Sequence, residues 1–400
     1  MDSITHPSRR TLLKSVAATS VAAAFGGLLP LRSAWAQDLP LVSYPPSYQL
    51  KTPASMPQLY DLVRIEEQAR MVMPAGGFGY VSGGAGDEWT LKENRAAFER
   101  RQIYPRVLTG HNTVDMRTSI LGIPLASPVI VCPMGGQGLA HPTAEAGTAK
   151  GTADAGSLLT LSTVSTLSME QVAAASTGPK WFELYLMQNQ DVSRSLIRRA
   201  KAAGYQAIVV VVDTTATGNR EADAINKFTF PLPFGNLSSG AGGDIHALNS
   251  AFATKIDPES IKFVAKESGL PVIVKGISHP KDALTALRAG AAAIWISNHG
   301  GRQLDGSPAT FTVLPEIAKA VNRKVPIIFD SGIRRGQDVF KALALGADVV
   351  GLGRPVYYGL ALGGAQGVNA TLQLLNKELE MVMQLAGTAT LADIRKTQLL

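Results

Sequence analysis

The chain has 400 residues, enough for one large domain or two ordinary ones. It is 46% hydrophobic and 17% charged, a composition that excludes a disordered chain and supplies the apolar side chains of a sizeable core. Its formal net charge is +7, but no basic stripe interleaved with aromatic residues occurs, so no nucleic acid is expected as a partner and an anionic small molecule is compatible.

Residues 1–36 are typical of an export signal that is removed from the mature protein. Arg9 and Arg10 precede a mildly apolar stretch over residues 16–31, and Ala34-Trp35-Ala36 supplies a small-x-small cleavage pattern. The stretch is short and interrupted by Gly and Pro, so no transmembrane anchor is expected in the mature chain. The sequence predicts a twin-arginine signal cleaved after Ala36 and delivery to the bacterial periplasm; a basic leader with accidental paired arginines is the alternative.

Residues 37–127 are predicted to form an N-terminal extension and helical cap, residues 128–385 a barrel domain, and residues 386–400 a C-terminal tail. From residue 128 onward, β-branched apolar runs alternate with amphipathic stretches, which is typical of parallel βαβ units. The runs, each expected to be a strand buried on both faces, are Pro128–Pro133, Leu158–Ser162, Trp181–Leu186, Ala207–Asp213, Pro271–Lys275, Ala293–Ser297, Val325–Asp330 and Val349–Gly353. Helices are predicted between several of them, at Gln190–Ala203, Pro258–Ser268, Pro280–Ala289 and Gly336–Leu345.

Eight such units predict an α/β fold, a (β/α)8 TIM barrel, with a doubly wound open sheet as the alternative. Residues 230–257 form a long Gly-, Ser- and Ala-rich insertion after the fourth strand. A loop of that length in a compact domain is usually functional or disordered, so a mobile lid over the site is expected.

The chemistry of a TIM barrel lies at the carboxyl ends of its strands. The seventh strand is followed by Asp330-Ser331-Gly332-Ile333-Arg334-Arg335-Gly336, which opens a helix whose amides and dipole are expected to face an anion. After the eighth strand, Gly353 lets the main chain come close to a ligand. The guanidinium of Arg354 can form two parallel hydrogen bonds with phosphate oxygens. The alternative is a pair of ordinary surface arginines, and the pattern alone indicates only some phosphorylated ligand.

Three further strand ends carry charged or titratable groups. Lys275 ends the fifth strand and can neutralise a developing anion, although a lysine alone is weak evidence. His299 follows the sixth strand with Arg302 beside it, and Asp213 ends the fourth strand. A histidine near neutral pKa can accept a substrate proton, and a buried carboxylate can stabilise the resulting imidazolium. Arg220 follows the fourth strand; two converging arginines suit a carboxylate substrate, whereas a surface pair with Glu221 or Asp223 is the alternative.

Cys132 is the only cysteine, so no intrachain disulfide can form, and its apolar neighbours predict a packed core thiol. The six histidines are scattered and no cysteine cluster exists, so no metal is expected.

Taken together, the motifs resemble those of the FMN-dependent L-2-hydroxy acid oxidases and dehydrogenases, with the lactate oxidases as the most similar branch. The resemblance runs from about Leu59 to Leu385. It is carried by Phe78-Gly79-Tyr80, Gly86-Asp87-Glu88-Trp89-Thr90, Trp181-Phe182-Glu183-Leu184-Tyr185, Gly218-Asn219-Arg220-Glu221-Ala222-Asp223, Ser297-Asn298-His299-Gly300-Gly301-Arg302-Gln303-Leu304, the 330–336 motif and Gly359-Leu360-Ala361-Leu362-Gly363-Gly364.

The resemblance implies FMN as cofactor and oxidation of a small L-2-hydroxy acid, most of all L-lactate, to the 2-oxo acid, through hydride transfer or a carbanion. It implies His299 as catalytic base with Asp213 as its partner. The residues implied to hold the substrate are Tyr80, Tyr185, Arg220 and Arg302. Those implied to contact the flavin ring are Pro133, Met134, Gly135, Ser162, Glu183, Lys275 and Ser297. The phosphate residues implied are Asp330, Ser331, Gly332, Ile333, Arg334, Gly353 and Arg354.

The chain departs from the family pattern at three positions. Glu183 stands in place of a glutamine that contacts the flavin pyrimidine, and Val211 in place of a threonine near the same ring. An ionised Glu183 is expected to disfavour the anionic reduced flavin unless it is buried and protonated. Val164 replaces an aromatic residue beside the substrate, which leaves room for an acid larger than lactate.

The second electron acceptor stays open between oxygen, as in an oxidase, and a respiratory quinone or cytochrome, as in a dehydrogenase. No haem-binding Cys-x-x-Cys-His segment occurs, so a cytochrome would be a separate protein. The resemblance also implies a homotetramer. The competing functions are a catalytically silent flavin-binding or electron-transfer protein, which retention of the catalytic residues disfavours, and an unrelated sugar-phosphate barrel.

Overall fold

The structure is a computed structural model that describes residues 39–237 and 250–400. The expected export signal, and residues 238–249 of the expected lid, lie outside the described residues. Among the residues it describes, no helix is long and apolar enough to cross a membrane.

Residues 39–127 form three helices and one hairpin ahead of the barrel. The helices are α1 (Ile65–Val72), α2 (Ala75–Ser82) and α3 (Trp89–Glu99), and the hairpin pairs β1 (Thr118–Ile120) antiparallel with β2 (Ile123–Leu125). Its two-residue turn places Leu121 and Gly122 at φ 47° and 81°, a conformation that glycine tolerates best. Only helices and loops were expected in this region, so the hairpin is an addition to the sequence-based prediction.

Eight parallel strands close into a barrel, because the last of them pairs back onto the first. The strands are β3 (Val129–Val131), β4 (Leu159–Ser162), β5 (Lys180–Leu184), β6 (Ile208–Val211), β7 (Val272–Ile277), β8 (Ala293–Ile296), β9 (Ile327–Phe329) and β10 (Val349–Leu352). Closure is fixed by the register of β10 on β3, with Val350 opposite Val129. The (β/α)8 prediction is therefore confirmed, and each predicted run contains most or all of one strand.

Alternation along each strand separates the inside of the barrel from its helical coat. Val129 and Val131 pack in the cluster that includes the outer helices, whereas Ile130 between them packs in the barrel interior. This period of two follows from the pleat of a strand.

The remaining helices follow the strands in turn. They are α4 (Ala144–Asp154), α5 (Met169–Ala175), α6 (Gln190–Ala202), α7 (Glu221–Ile225), α8 (Pro258–Ser268), α9 (Pro280–Arg288), α10 (Thr310–Val321), α11 (Gly336–Ala344), α12 (Arg354–Ala386) and α13 (Leu391–Ile394), with a 3-10 turn at Gln137–Leu139. The ends of α8 are specified locally: Asp257 caps it through the amide of Ser260, Pro258 occupies its first turn, and Gly269 ends it at φ 60°. The 33 residues of α12 include a kink at Gly363 and Gly364.

The hairpin closes the amino-terminal end of the barrel. Ile123 and Leu125 are buried and belong to the same apolar cluster as Trp181 and as Leu158 and Ala207, the residues that directly precede β4 and β6. The carboxyl end of the barrel is therefore the end available for a ligand site.

Candidate active site

A cavity of about 1120 Å³, partly open to solvent, lies at the carboxyl ends of the barrel strands. It is lined by every residue predicted for the site except Asp213 and Ser297. Those lining residues are Tyr80, Pro133, Met134, Gly135, Ser162, Glu183, Tyr185, Lys275, His299, Arg220, Arg302, Asp330, Ser331, Gly332, Ile333, Arg334, Gly353 and Arg354. The mixed polar and apolar lining is that of a small-molecule or cofactor site.

Asp213 and Ser297 lie behind His299 rather than on the cavity wall. The Asp213 Oδ1 atom is 3.2 Å from His299 Nδ1, and the Ser297 hydroxyl oxygen accepts the His299 main-chain N–H at 3.1 Å. His299 Nε2 is 3.3 Å from the hydroxyl oxygen of Tyr185. When Nδ1 carries the proton and donates to Asp213, Nε2 keeps its lone pair and faces the cavity.

Burial keeps His299 neutral, and the contacts of Asp213 keep it ionised. Burial lowers the pKa of His299, and Asp213 offsets this effect only in part. Burial opposes ionisation of Asp213, but the contact with His299 and the charge of Lys275 outweigh it and hold the Asp213 pKa below its ordinary value. A neutral imidazole beside a fixed carboxylate is suited to accept a proton.

Two glycines allow the close approaches on which this geometry depends. Gly276 in β7 has φ 107°, and a Cβ there would lie 2.7 Å from Cβ of Asp213. Gly300 has φ 67°, and a Cβ there would lie 2.8 Å from Nη1 of Arg354. Any side chain at either position would push apart residues of the site.

Arg220 and Arg302 converge on one part of the cavity, where both lie near Tyr80. Their guanidinium carbons lie 5.9 and 4.9 Å from the centre of the Tyr80 ring. Burial lowers the pKa of Arg302 to about 10, and the charge of Arg220 adds to the effect. Arg220 Nε is buried without a hydrogen-bond partner. Two cations forced together in this way favour an anion between them.

A second cationic region is formed by Arg334 and Arg354. Burial lowers the pKa of both guanidiniums, that of Arg334 to about 10. Arg354 donates to the main-chain oxygens of Val81, Gly83 and Gly300, each at 2.9 Å. Within residues 39–237 and 250–400, neither arginine forms an ion pair with a carboxylate, so this region has positive charge available for a phosphate.

The expectation that the amides at the start of α11 face a ligand anion was wrong. Carboxylates of the protein take these amides, because Asp338 accepts the N–H groups of Arg334 and Arg335 at 2.9 Å and Glu378 accepts that of Gly336. The helix that begins at the cavity is α12, through Gly353 and Arg354. Its N-terminus therefore lies at the cavity, where the positive end of the helix dipole favours an anion.

The floor of the cavity is polar and buried. The Ser162 hydroxyl is 2.8 Å from Oε2 of Glu183, and Lys275 Nζ is 3.8 Å from Oε1 of the same residue. Burial alone would lower the pKa of Lys275, but Asp330, Asp213 and Glu183 raise it above its ordinary value. Lys275 is therefore a fixed positive charge beneath the cavity.

These features fit FMN. The planar ring can lie between the floor and the Pro133-Met134-Gly135 wall, and its phosphate can reach Arg334 and Arg354. Tyr357 of α12 supports this wall, because its hydroxyl donates to the Gly136 carbonyl oxygen at 2.6 Å. No buried carboxylate occupies the cationic end, where the phosphate would lie, in the described part of the chain.

Sequence reasoning missed three residues that shape the site. Tyr357 lines the cavity, and Phe252 stacks on Tyr185 with ring centres 4.7 Å apart. Gln303 donates to the main-chain oxygens of Asp213 and Ala216 at 2.9 and 3.0 Å and so ties two loops together. Gln303 stands within the Ser297–Leu304 motif, where its position was a usable signal. Nothing local marks Phe252, which lies within the 230–257 insertion.

Comparisons with known proteins agree with this geometry. The family model described as FMN-dependent dehydrogenase matches residues 69–400. The L-lactate oxidase of Lentilactobacillus hilgardii is 52% identical over 346 residues, which cover 85% of this chain and 94% of that protein. The L-lactate oxidase of Lactobacillus jensenii is 42% identical over 344 residues, 84% of either chain.

Two solved structures have similar folds. The crystal structure of a refolded lactate oxidase of Pediococcus acidilactici superposes with a TM-score of 0.85 at 51% identity, covering 88% of this chain and 98% of that one. A mandelate oxidase structure with (S)-4-hydroxymandelic acid gives a TM-score of 0.82 at 38% identity, covering 86% and 99%.

Proposed function

Because this chain belongs to the family of FMN-dependent dehydrogenases, we propose that it oxidises L-2-hydroxy acids, L-lactate above all, to 2-oxo acids with FMN as cofactor. The observation that carries the proposal is the position of His299. Its Nδ1 is bonded to a buried carboxylate, and its Nε2 faces a cavity that also holds two arginines in mutual repulsion.

Substrate binding is the role we assign to Arg220, Arg302 and Tyr80. A carboxylate between the two guanidiniums relieves their repulsion and accepts charge-assisted hydrogen bonds. Such a clamp fixes the C2 carbon with its hydroxyl towards Tyr185 and His299. The Tyr185 hydroxyl oxygen and His299 Nε2 lie 3.3 Å apart.

Proton removal is the role we assign to His299. Its Nε2 accepts the proton released during oxidation of the C2 carbinol, and Asp213 stabilises the imidazolium formed. Bound FMN supplies the chemistry that side chains lack, by accepting the two electrons of the oxidation. Lys275 places a positive charge beside the ring that gains negative charge.

Anaerobic mixing of the purified yellow protein with single substrates tests this function. L-lactate should bleach the visible flavin absorbance and yield pyruvate, whereas D-lactate should leave the spectrum unchanged. A colourless preparation, or a flavin spectrum that no L-2-hydroxy acid alters, would contradict the proposal.

We propose oxygen as the second acceptor, supported by the relatives that are named oxidases. Admitting air to the bleached enzyme should then restore the flavin and release one hydrogen peroxide per turnover. Slow recovery in air with fast recovery on a quinone or cytochrome would instead identify a dehydrogenase.

A larger 2-hydroxy acid is the second candidate substrate. Val164 and Tyr185 both line the cavity, and the similar mandelate oxidase has been solved with an aromatic acid. Comparing kcat/KM for L-lactate, L-2-hydroxybutyrate and L-mandelate ranks the two candidates.

Export to the periplasm and assembly into a homotetramer are further proposals, supported by the Arg9-Arg10 pattern and by the family resemblance respectively. Replacing both arginines with lysine should retain the full-length precursor in the cytoplasm of the producing bacterium. Light scattering of the purified protein measures the oligomeric state directly.

A further inference from the structure

Three carboxyl groups surround one lysine at the floor of the cavity. The pKa of Lys275 is raised by Glu183, Asp213 and Asp330. The exposed fractions of Glu183, Lys275 and Asp330 are 2%, 3% and 5%. With His299 neutral, full ionisation would leave three negative charges against one positive charge in a dry site. Excess charge of this kind is costly, and proteins usually relieve it by keeping one group protonated.

Two of the three carboxylates are well supported as anions. Asp330 accepts hydrogen bonds from the Trp295 indole at 2.9 Å and the Ser331 hydroxyl at 2.7 Å. Asp213 pairs with His299 at 3.2 Å. These contacts stabilise the negative charge of each group.

Glu183 has the fewest contacts that stabilise a negative charge. Among the described residues, the one hydrogen bond to its carboxyl group comes from the Ser162 hydroxyl. Lys275 Nζ lies 3.8 Å from Oε1, beyond hydrogen-bond distance. Burial raises the pKa of Glu183 to about 7 against the lowering effects of Lys275 and Ser162. Glu183 borders the cavity directly, so its protonation state acts on whatever ring occupies the floor.

We propose that Glu183 is a proton-holding residue that sets the reduction potential of the bound flavin. In its neutral form it presents a carboxylic acid to the ring, and its ionisation places a negative charge where reduction also adds negative charge. The potential is therefore lower when Glu183 is ionised. Above the pKa of the oxidised enzyme, Glu183 takes up one proton from solvent as the cofactor is reduced by two electrons, because the added charge raises its proton affinity. This inference rests on the proposed function, since it needs FMN in the cavity.

The other titratable groups that face Glu183 are Lys275, Asp213, Asp330, Cys132 and Tyr185. Burial raises the pKa of Cys132 and of Tyr185, so both stay neutral near pH 7, while Lys275 stays charged. The remaining group of the site that can titrate near neutrality is His299, whose pKa is lowered by burial. A substitution confined to Glu183 separates the two.

The test is the midpoint potential of the holoenzyme as a function of pH, measured for wild type, Glu183→Gln and the exposed control Glu316→Gln. In wild type the potential should fall with pH about twice as steeply near neutrality as elsewhere, since two protons rather than one then accompany two electrons. Glu183→Gln should lose the steep segment, match wild type at acid pH and exceed it at alkaline pH. Glu316→Gln should follow wild type throughout.

Two further measurements keep the result decisive. Ser162→Ala removes the one hydrogen bond that stabilises ionised Glu183, so it should move the steep segment to higher pH. An infrared difference spectrum between acid and alkaline pH should show a carboxylic-acid carbonyl band in wild type that Glu183→Gln lacks. Equal slopes in wild type and Glu183→Gln, or an unchanged band, would overturn the proposal. If the proposed function is wrong, L-lactate will not bleach the flavin. The infrared measurement of Glu183 can still be interpreted in that case.

Discussion

The Nδ1 atom of His299 lies 3.2 Å from Oδ1 of Asp213, on the side of the imidazole that faces away from the cavity. Asp213→Asn keeps the shape of this contact but removes its charge, so imidazolium formation loses its counter-ion. We expect kcat to fall by roughly 10²–10⁴-fold. The acid limb of the kcat/KM–pH profile should also move to lower pH, because Asp213 raises the His299 pKa. Asp282→Asn, an exposed aspartate in the first turn of α9, is the matched control.

On the acid side, wild-type activity should follow the protonation of His299. The base must be unprotonated, and burial lowers the pKa of His299 below its ordinary value. The kcat/KM for L-lactate should therefore be flat near pH 7 and fall as the pH drops through the depressed pKa. If activity already falls above pH 7 as the pH is lowered, the result would contradict a neutral histidine base.

Arg302→Lys should weaken binding of the substrate carboxylate. Lysine keeps the charge but cannot form the two parallel hydrogen bonds of a guanidinium. A charge-assisted hydrogen bond contributes about 1.5–3 kcal/mol, so kcat/KM should fall roughly 10- to 150-fold. Steady-state kinetics of Arg302→Lys beside the exposed control Arg323→Lys measures this; equal kinetics would remove Arg302 from the substrate clamp.

Arg334→Met should reduce FMN affinity with little effect on the fold. The one hydrogen bond of its guanidinium in the described structure goes to the carbonyl oxygen of Ile333, so its positive charge serves the cavity more than the scaffold. We expect retention of FMN during ultrafiltration to fall, with a dissociation constant roughly 10- to 100-fold higher. Arg323→Met is the control, and undiminished FMN retention would place the phosphate elsewhere.

Val164→Phe should narrow the substrate range. Val164 lines the cavity, so the larger ring takes space there. The kcat/KM for 2-hydroxy acids longer than lactate should fall by about 10-fold or more, while that for lactate changes by about 3-fold at most. A uniform loss for all substrates would show that residue 164 does not contact the substrate side chain.

The sequence was most informative about the barrel strands and the residues at their ends. A strand buried on both faces needs an unbroken apolar run, such as Ile208–Val211, and a run of this kind is visible without tertiary information. Because the parallel strands close into a barrel, their carboxyl ends meet at one rim. This is why His299, Lys275 and Arg354, which lie near or after strand ends, could be assigned to one cavity.

Features that depend on distant contacts were not predictable in this way. The β1 and β2 strands have three residues each, too few to show a period. The start of α11 is occupied in part by Glu378, which lies in α12 and leaves no trace near Gly336 in the sequence. Phe252 reaches Tyr185 only because Ala253 N–H donates to the Leu186 carbonyl oxygen at 2.7 Å.

Two of the four arginines that give the cavity its charge also bind the carbonyl oxygens at the end of α2. Arg302 donates to the carbonyl oxygens of Tyr80 and Gly83 at 2.6 and 2.9 Å, and Arg354 shares the Gly83 acceptor. An excised barrel beginning at residue 128 would keep His299 and the Pro133-Met134-Gly135 wall. Arg302 would lose both of these acceptors, and Arg354 would keep only the Gly300 carbonyl oxygen of its three. The N-terminal segment is therefore an integral part of the ligand site. A shortened enzyme, or a graft of its barrel, must include α2.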